Sequence, residues 1–247
     1  MAAPLTEAAI ERVRNLIMSG RLGPGERLPA EAELSLELGV SRSSLREAVR
    51  GLITAGVLDV RRGDGTYVTS LTPDFLLTGI GAAVELMNED SILDLLESRR
   101  LIEPGVTALA AIRANADQQR EIRTHLDLMA GATDHDDLIK YDTDFHAAVA
   151  RSSQNPVLAS LLTGISSGTV RTRVWRGIID ADAYHRTLGE HRAIFAAIEA
   201  RDAPLAEAAA LVHVASVESW LRSMVAARGE QSTEPAREMR PGFLTPV

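Results

Sequence analysis

"LPAEAELSLELGVSRSSLREAVRGLITAGVLDVRRGDGTYV", residues 28–68, is the stretch on which the reading of the whole chain turns. It holds two short helical patterns joined by Gly39-Val40. The spacing predicts a helix over 30–38 and a second one capped by Ser41, with Leu45, Ala48, Val49, Leu52 and Ile53 as its buried stripe and Gly56 as its end. With that stripe turned inward, Arg42, Ser43 and Arg46 project outward from the first turns, and Arg50 lies one turn further on. Residues 57–69, "VLDVRRGDGTYVT", then give two β-prone runs around Asp64-Gly65, which predicts a hairpin with Arg61 and Arg62 just before its turn.

Upstream, Thr6 is placed to cap a helix carrying Ile10, Val13 and Ile17 and ending near Gly20, and "RLGPGERLP" (21–29) reads as a loop. Taken singly, a helix lined with arginines is more often a solvated face than a binding surface. Here a cap, a buried stripe, outward arginines and a basic Gly-rich hairpin occur in order. Two short helices joined by a tight turn, the second offering donors from its N-terminal end, are the geometry that lets a helix enter the major groove of DNA. The hairpin beside them reads as a wing.

Composition sets the bounds. The chain has 247 residues, 45% hydrophobic but only 4% aromatic, so its core is built from Ala, Leu, Ile and Val, which favours packed helices. It has no Cys, which excludes disulfides and thiolate metal sites. No apolar run reaches the roughly 18 residues of a membrane span, and the N-terminus lacks a signal-peptide layout, so a cytoplasmic location is expected. The net charge of −8 is unevenly spread: residues 1–70 hold nine of the 26 basic and nine of the 34 acidic residues, leaving 17 and 25 for the remainder. The acidity belongs to the second part and does not argue against nucleic-acid binding by the first.

Residues 28–68 resemble, without a gap, the winged helix-turn-helix of GntR-type bacterial transcription regulators. The resemblance implies that Arg42, Ser43, Ser44 and Arg46 contact bases and phosphates, with Arg62, Gly63 and Gly65 at the wing tip. Ala32 departs from the pattern, standing where some relatives, FadR included, place an Arg against DNA.

From about residue 74 to 228 the pattern is helical, in about seven segments near 74–88, 91–115, 117–131, 135–152, 156–178, 183–201 and 204–227, with Pro104 expected to kink or divide the second. The expected organisation is therefore mostly α. A winged helix-turn-helix occupies 1–70, an all-helical bundle 71–228, with a linker near 69–74, and a Pro-containing disordered tail 229–247.

Several polar residues in the bundle fall on apolar stripes. Asp142 and His146 are four apart on the face of Leu138 and Val149, His191 lies between Leu188 and Ile194, His213 between Ala209 and Val217, and Arg99 between Leu96 and Ile102. One such His is usually a hydrogen-bonded core residue. Together, one carboxylate and three imidazoles make a candidate divalent-metal set, zinc first, with nickel, manganese or iron as alternatives. Periodicity shows only that each faces a core. His125, His135 and His185 are expected at the surface.

"ESRRLIEPGVTALAA" (97–111), "DTDFHAAVARSSQNPVL" (142–158), "EHRAIFAAIEARDAPLAEAA" (190–209) and His213 resemble, in order, the motifs of the FCD effector domain of the FadR subfamily. The resemblance implies that Asp142, His146, His191 and His213 converge on a metal ion and that Arg99 meets an effector carboxylate; Trp175 is a further candidate for the pocket wall. A divalent ion with one carboxylate keeps a formal charge of +1, which suits a small carboxylate or hydroxy-acid. The reading is a homodimeric, metabolite-responsive DNA-binding regulator, a repressor, acting on a palindromic operator. Its rivals are a metal-dependent hydrolase-like enzyme and an architectural DNA-binding protein whose metal only staples the bundle.

Overall fold

Residues 2–85, 91–179 and 182–232 are described by the computed structural model, which contains eleven helices and one small sheet among them. The N-terminal part runs α1 (Ala2–Met18), α2 (Glu31–Leu38), α3 (Arg42–Thr54), β1 (Leu58–Arg61) and β2 (Gly65–Val68). Ser41 caps α3, its Oγ accepting from the Ser44 amide at 3.1 Å, and Leu45, Ala48 and Leu52 are buried as the stripe requires. Gly39, at φ 61, closes α2 with its amide on the Leu36 and Ser35 carbonyls, and Arg12 from α1 donates to the carbonyls of Leu38 and Gly39. These elements enclose a core of Val13, Leu16, Leu34, Leu45, Leu52, Leu58 and Val68.

Two local expectations differ. α1 begins before Thr6, which therefore lies inside the helix and not at its cap. The hairpin turn falls earlier than Asp64-Gly65: Leu58 pairs with Val68 and Arg61 with Gly65, so the loop is Arg62-Gly63-Asp64. Gly63 supplies the positive φ of 76 in that three-residue loop. Gly65 serves close packing instead, because a Cβ there would lie 2.5 Å from Arg27 Nε. The loop is fastened by Tyr67, whose hydroxyl donates to Asp64 Oδ2 at 2.7 Å and whose ring lies 3.9 Å beneath the Arg61 guanidinium.

The second part contains α4 (Pro73–Leu76), α5 (Thr78–Glu85), α6 (Ser91–Arg113), α7 (Ala116–Ala130), α8 (His135–Ser152), α9 (Pro156–Ile179), α10 (Ala183–Glu199) and α11 (Ala203–Ser232). The helix expected over 74–88 is broken at Leu77, whose φ of −96 and ψ of 1 leave the helical region. Pro104 does not divide α6, although it removes one backbone donor; the buried flanks of that helix hold it against α8, α9 and α11. α11 takes in residues 229–232, the start of the expected tail, and 233–247 lie outside the described residues.

The bundle core is rich in alanine, with Ala110, Ala111, Ala148, Ala197, Ala206 and Ala210 packed among Ile122, Phe145 and Ile198. Small side chains let helices approach closely. α6 and α11 run antiparallel, since Arg100 Nε donates to Glu218 Oε2 at 2.9 Å near one end and Arg201 Nη2 to the Ala114 carbonyl at 3.2 Å near the other. α5 lies against α9 at Gly164 and Gly168; a Cβ on Gly168 would stand 2.2 Å from Val84 Cγ1 and 2.9 Å from Leu95 Cδ1.

Gly168→Ala should therefore destabilise the protein by about 1–3 kcal/mol through overpacking against a stiff Val, even though Ala is the better helix former by about 1 kcal/mol. Gly189→Ala, in α10 with open space at its Cβ, should stabilise by up to about 1 kcal/mol. Urea unfolding of the two variants checks the contrast, and equal effects of one sign would contradict the packing described.

Candidate nucleic-acid interface and metal centre

On the head, α3 presents Arg42, Ser43 and Arg46 to solvent, with Ser44 half-buried because its amide and hydroxyl serve the Ser41 cap. Arg62 and Gly63 sit at the exposed wing tip, and Gly65 at the base of the strand. Arg46 is not idle. Its Nε donates to Glu31 Oε2 at 3.0 Å and its Nη2 lies 2.9 Å from Glu31 Oε1, a contact without hydrogen-bond alignment. The bond to Arg46 holds the Glu31 carboxyl below the usual carboxylate range against a small opposing effect of burial. Between α3 and the wing lies an open cleft of about 790 Å³ lined by Arg27, Arg46 and Arg50, with Glu31 the sole acid on its walls. Arg27 was not singled out from the sequence, because it sits in the loop before α2; the small Gly65 across from it is the signal that a long side chain passes there.

In the bundle, three helices bring the polar stripe residues to one place. α8 contributes Asp142 and His146, α10 His191 and α11 His213, and the ring centroids of the three histidines stand 4.6–5.1 Å apart. Their candidate ligand atoms lie within 4.8 Å of one another. Asp142 Oδ1 is 3.8 Å from His146 Nε2 and 3.7 Å from His191 Nε2. His191 and His213 are fully buried, and Asp142 is buried. The three histidines come together, and the Asp142 carboxylate lies beside two of them. Of the remaining histidines, His135 and His185 are exposed as expected, whereas His125 is half-buried beside Asp144.

Each ring is oriented from behind. His146 Nδ1 meets Glu103 Oε1 at 2.8 Å, His213 Nδ1 meets Glu190 Oε2 at 2.9 Å, and His191 Nδ1 faces the Met129 sulfur at 3.3 Å while its ring stacks on Phe145. An ionised carboxylate only accepts, so Nδ1 of His146 and His213 carries the proton and Nε2 presents its lone pair to the shared centre. Nε2 of His146 and of His213 is buried with no hydrogen-bond partner among the described residues. Burial lowers the His213 pKa to about 3, which keeps that ring neutral and able to ligate.

Arg99, 1% exposed, adjoins this centre through Glu103. Its Nε donates to Glu103 Oε2 at 2.8 Å and its Nη1 to Thr169 Oγ1 at 3.0 Å, while Nη2 is buried with no hydrogen-bond partner among the described residues. Burial alone would raise the Glu103 carboxyl, but the charge of Arg99 and the hydrogen bonds from His146 and Arg99 outweigh it and hold the group well below the usual range. A void of about 30 Å³ borders Glu103 and His146, with room for one water molecule. Trp175 lies in α9, but its side chain is outside the described residues.

Neither Glu103 nor Glu190 was identified from the sequence as part of the site. Glu103 was visible in principle, four residues after Arg99 on the same helix face. Glu190 was not, because it reaches His213 across from α10 to α11.

These groups fit a divalent ion. The buried donors are three imidazoles with ligand atoms within 4.8 Å of one another and a carboxylate 3.7 and 3.8 Å from two of them; donors on one tetrahedral zinc stand roughly 3.3 Å apart, so the set would draw in slightly around an ion.

A winged head that displays arginines, joined to a helical bundle with a sealed polar centre, defines a DNA-binding regulator with a sensory domain. Residues 5–68 match the family model for bacterial regulatory proteins of the gntR family, and residues 94–216 match the FCD domain. The chain is 35% identical over 214 residues to the HTH-type transcriptional regulator LutR of Bacillus subtilis (strain 168), spanning 83% of this chain and 96% of that protein. It is 34% identical over 217 residues to the galactonate operon transcriptional repressor of Escherichia coli (strain K12), spanning 85% and 94%. A solved structure described as Streptococcus agalactiae GntR superposes with a TM-score of 0.64 at 32% identity, covering 87% of this chain and 99% of that one. The chain belongs to the GntR family of bacterial regulatory proteins and carries an FCD effector domain; it is a transcription regulator and not an enzyme. No helix among the described residues is long and apolar enough to cross a membrane.

The buried histidine gives the metal-free protein an acid sensitivity of definite sign. With His213 near 3 in the folded chain and 6.5 as its ordinary value, the unfolded chain binds the extra proton between those limits. The stability contribution is whole above pH 6.5 and is lost as pH falls toward 3. The melting temperature measured in chelator should drop across that window, and His213→Gln should flatten the drop. An unchanged pH slope in the variant would contradict this assignment.

Proposed function

We propose that the protein is a metabolite-responsive repressor that binds a palindromic operator as a homodimer in the cytoplasm. Residues 1–70 form the reading head and residues 71–228 the sensory and dimerisation unit. Arg99 carries the sensory half of this reading: it is sealed from water, fixed on two sides, and its Nη2 is left to be satisfied. A buried guanidinium nitrogen without an acceptor is costly, and a carboxylate matches its planar fork. Asp142, His146, His191 and His213 would hold the metal ion, zinc first among nickel, manganese and iron, a reading supported by the burial of the three clustered rings and the nearby carboxylate. When bound, the ion supplies a positive centre that attracts an anionic or hydroxyl oxygen. A small hydroxy-acid offers groups to both, in keeping with a similar protein named for a galactonate operon. That name, a repressor's, also supports the sign of regulation.

On the head, Arg42, Ser43, Ser44 and Arg46 are assigned to bases and phosphates and Arg62, Gly63 and Gly65 to the wing contact. The Arg46–Glu31 pair is exposed, hence a weak competitor that a guanine edge or phosphate can displace. The homodimer is supported by the outer faces of α6 and α11. Leu101 and Ile112 on one helix and Leu205 and Val212 on its antiparallel neighbour are all more than half exposed, an apolar surface of the kind that marks a partner interface.

Three variants test these assignments. Arg99→Ala should abolish the rise in melting temperature produced by hydroxy-acids, galactonate among those screened, while leaving bound metal at the wild-type level by elemental analysis; a retained ligand shift would refute the clamp. Arg46→Ala should weaken binding to an operator selected from random-sequence DNA more than binding to bulk DNA, and equal losses would deny it a base-reading role. Leu101→Glu combined with Val212→Glu should halve the mass measured by light scattering, and an unchanged mass would place the dimer contact elsewhere.

A further inference from the structure

The Glu103 carboxylate uses both of its oxygens, and it uses them on the two halves of the sensory site. Oε1 receives the proton-bearing Nδ1 of His146 at 2.8 Å, and Oε2 receives Nε of Arg99 at 2.8 Å. The group is buried, so no bulk water shares the load. His213 provides an internal comparison. Its Nδ1 is held by a different carboxylate, Glu190, for which no contact to Arg99 is described.

We propose that Glu103 is a positioning residue that couples metal occupancy to the anion clamp, a role that rests on the reading of His146 as a ligand and Arg99 as the clamp. A cation on Nε2 of His146 withdraws electron density from the ring and makes its Nδ1–H a stronger donor. The stronger donor draws on the carboxylate that also neutralises Arg99. Less of that negative charge then faces the guanidinium, whose Nη2 becomes a better partner for an incoming carboxylate. Because binding linkage is reciprocal, an anion on Arg99 would in turn tighten the metal. A metal ion and an anion also attract directly through space; the route through Glu103 is distinguished by its dependence on that side chain.

Zinc alone, titrated into the full chain, tests the coupling with nitrogen-15 NMR of the side chains. In the wild type, ring nitrogens of His146, His191 and His213 should shift with one zinc per chain, and the Nε–H of Arg99 should move in step with them. Glu103→Gln should still bind one zinc, about 10- to 100-fold more weakly, and its Arg99 Nε–H should no longer follow zinc occupancy. Glu190→Gln should weaken zinc comparably but leave the Arg99 response in place.

Should the wild-type histidines fail to respond to zinc, the metal reading itself falls. Should they respond while Arg99 Nε–H stays still, or should Arg99 respond equally in Glu103→Gln, the coupling is overturned and the metal reading stands. Should Glu103→Gln not fold, the wild type and Glu190→Gln still decide: an Arg99 response lost in Glu190→Gln as well would show a general loosening of the site and overturn the specific role.

Discussion

Three buried or half-buried carboxylates and one sealed guanidinium inside an alanine- and leucine-rich bundle set the terms for the second half of this protein. An unpaired charge in such an interior costs several kcal/mol, more than most side-chain contacts contribute. Each charge accordingly has a neighbour with definite geometry: Arg99 on Glu103 and Thr169, Glu103 on His146, Glu190 on His213, and Asp142 beside His146 and His191. Those pairings fix which nitrogen of His146 and of His213 is protonated, and thereby where the lone pairs point. The alanine-rich packing is what permits it, since helices must approach closely for groups on α6, α8, α10 and α11 to meet around one centre.

The head is built on the opposite electrostatic plan. Its ion pairs, Arg46 with Glu31 and Arg50 with Glu47, lie in solvent, where water competes for both partners. Such pairs orient a side chain without committing it. A surface that must exchange intramolecular partners for phosphates and base edges needs this reversibility, and the ion proposed for the bundle would need its sealed arrangement to be held in register. The acidic whole-chain charge therefore describes neither site; it averages a balanced head with an acidic bundle.

Much of this was legible in the sequence because a polar residue on a Leu/Ile/Ala stripe is conspicuous. His191 between Leu188 and Ile194, and Asp142 with His146 on one face, could be read directly as pointing inward. Their convergence could not, since periodicity gives the face of a helix and not its neighbour; the FCD resemblance supplied that step. Glu190 escaped for the same reason, its role lying in a contact between helices. At the wing, the Gly-rich run admits two turn placements, and the choice was made by Arg27, which needs a residue without a side chain at 65. The break at Leu77 and the unbroken helix through Pro104 show tertiary packing overriding local preference in both directions.

A sensor controls a reading head only if both bias the same mechanical element, and contiguity is the first requirement. α9 meets it. Thr169 on that helix accepts from Arg99, while its neighbour Gly168 and Gly164 one turn earlier lie against Val84 and Ile80 of α5. α4, which precedes α5 and also packs on α9, places the Phe75 carbonyl against the Gly56 turn that ends the recognition helix α3. Between them runs the linker, where Leu71 is held at a φ of 53, a left-handed conformation that a leucine adopts only when its surroundings impose it. With glycines at the α5–α9 contact there is little side chain to absorb a displacement by changing rotamer. A shift of α9 following a change at Arg99, as the proposed function requires, would be handed to the β-branched Val84 and Ile80 side chains seated on glycine backbone, and would arrive through α4 at the end of the helix that carries Arg42 and Arg46.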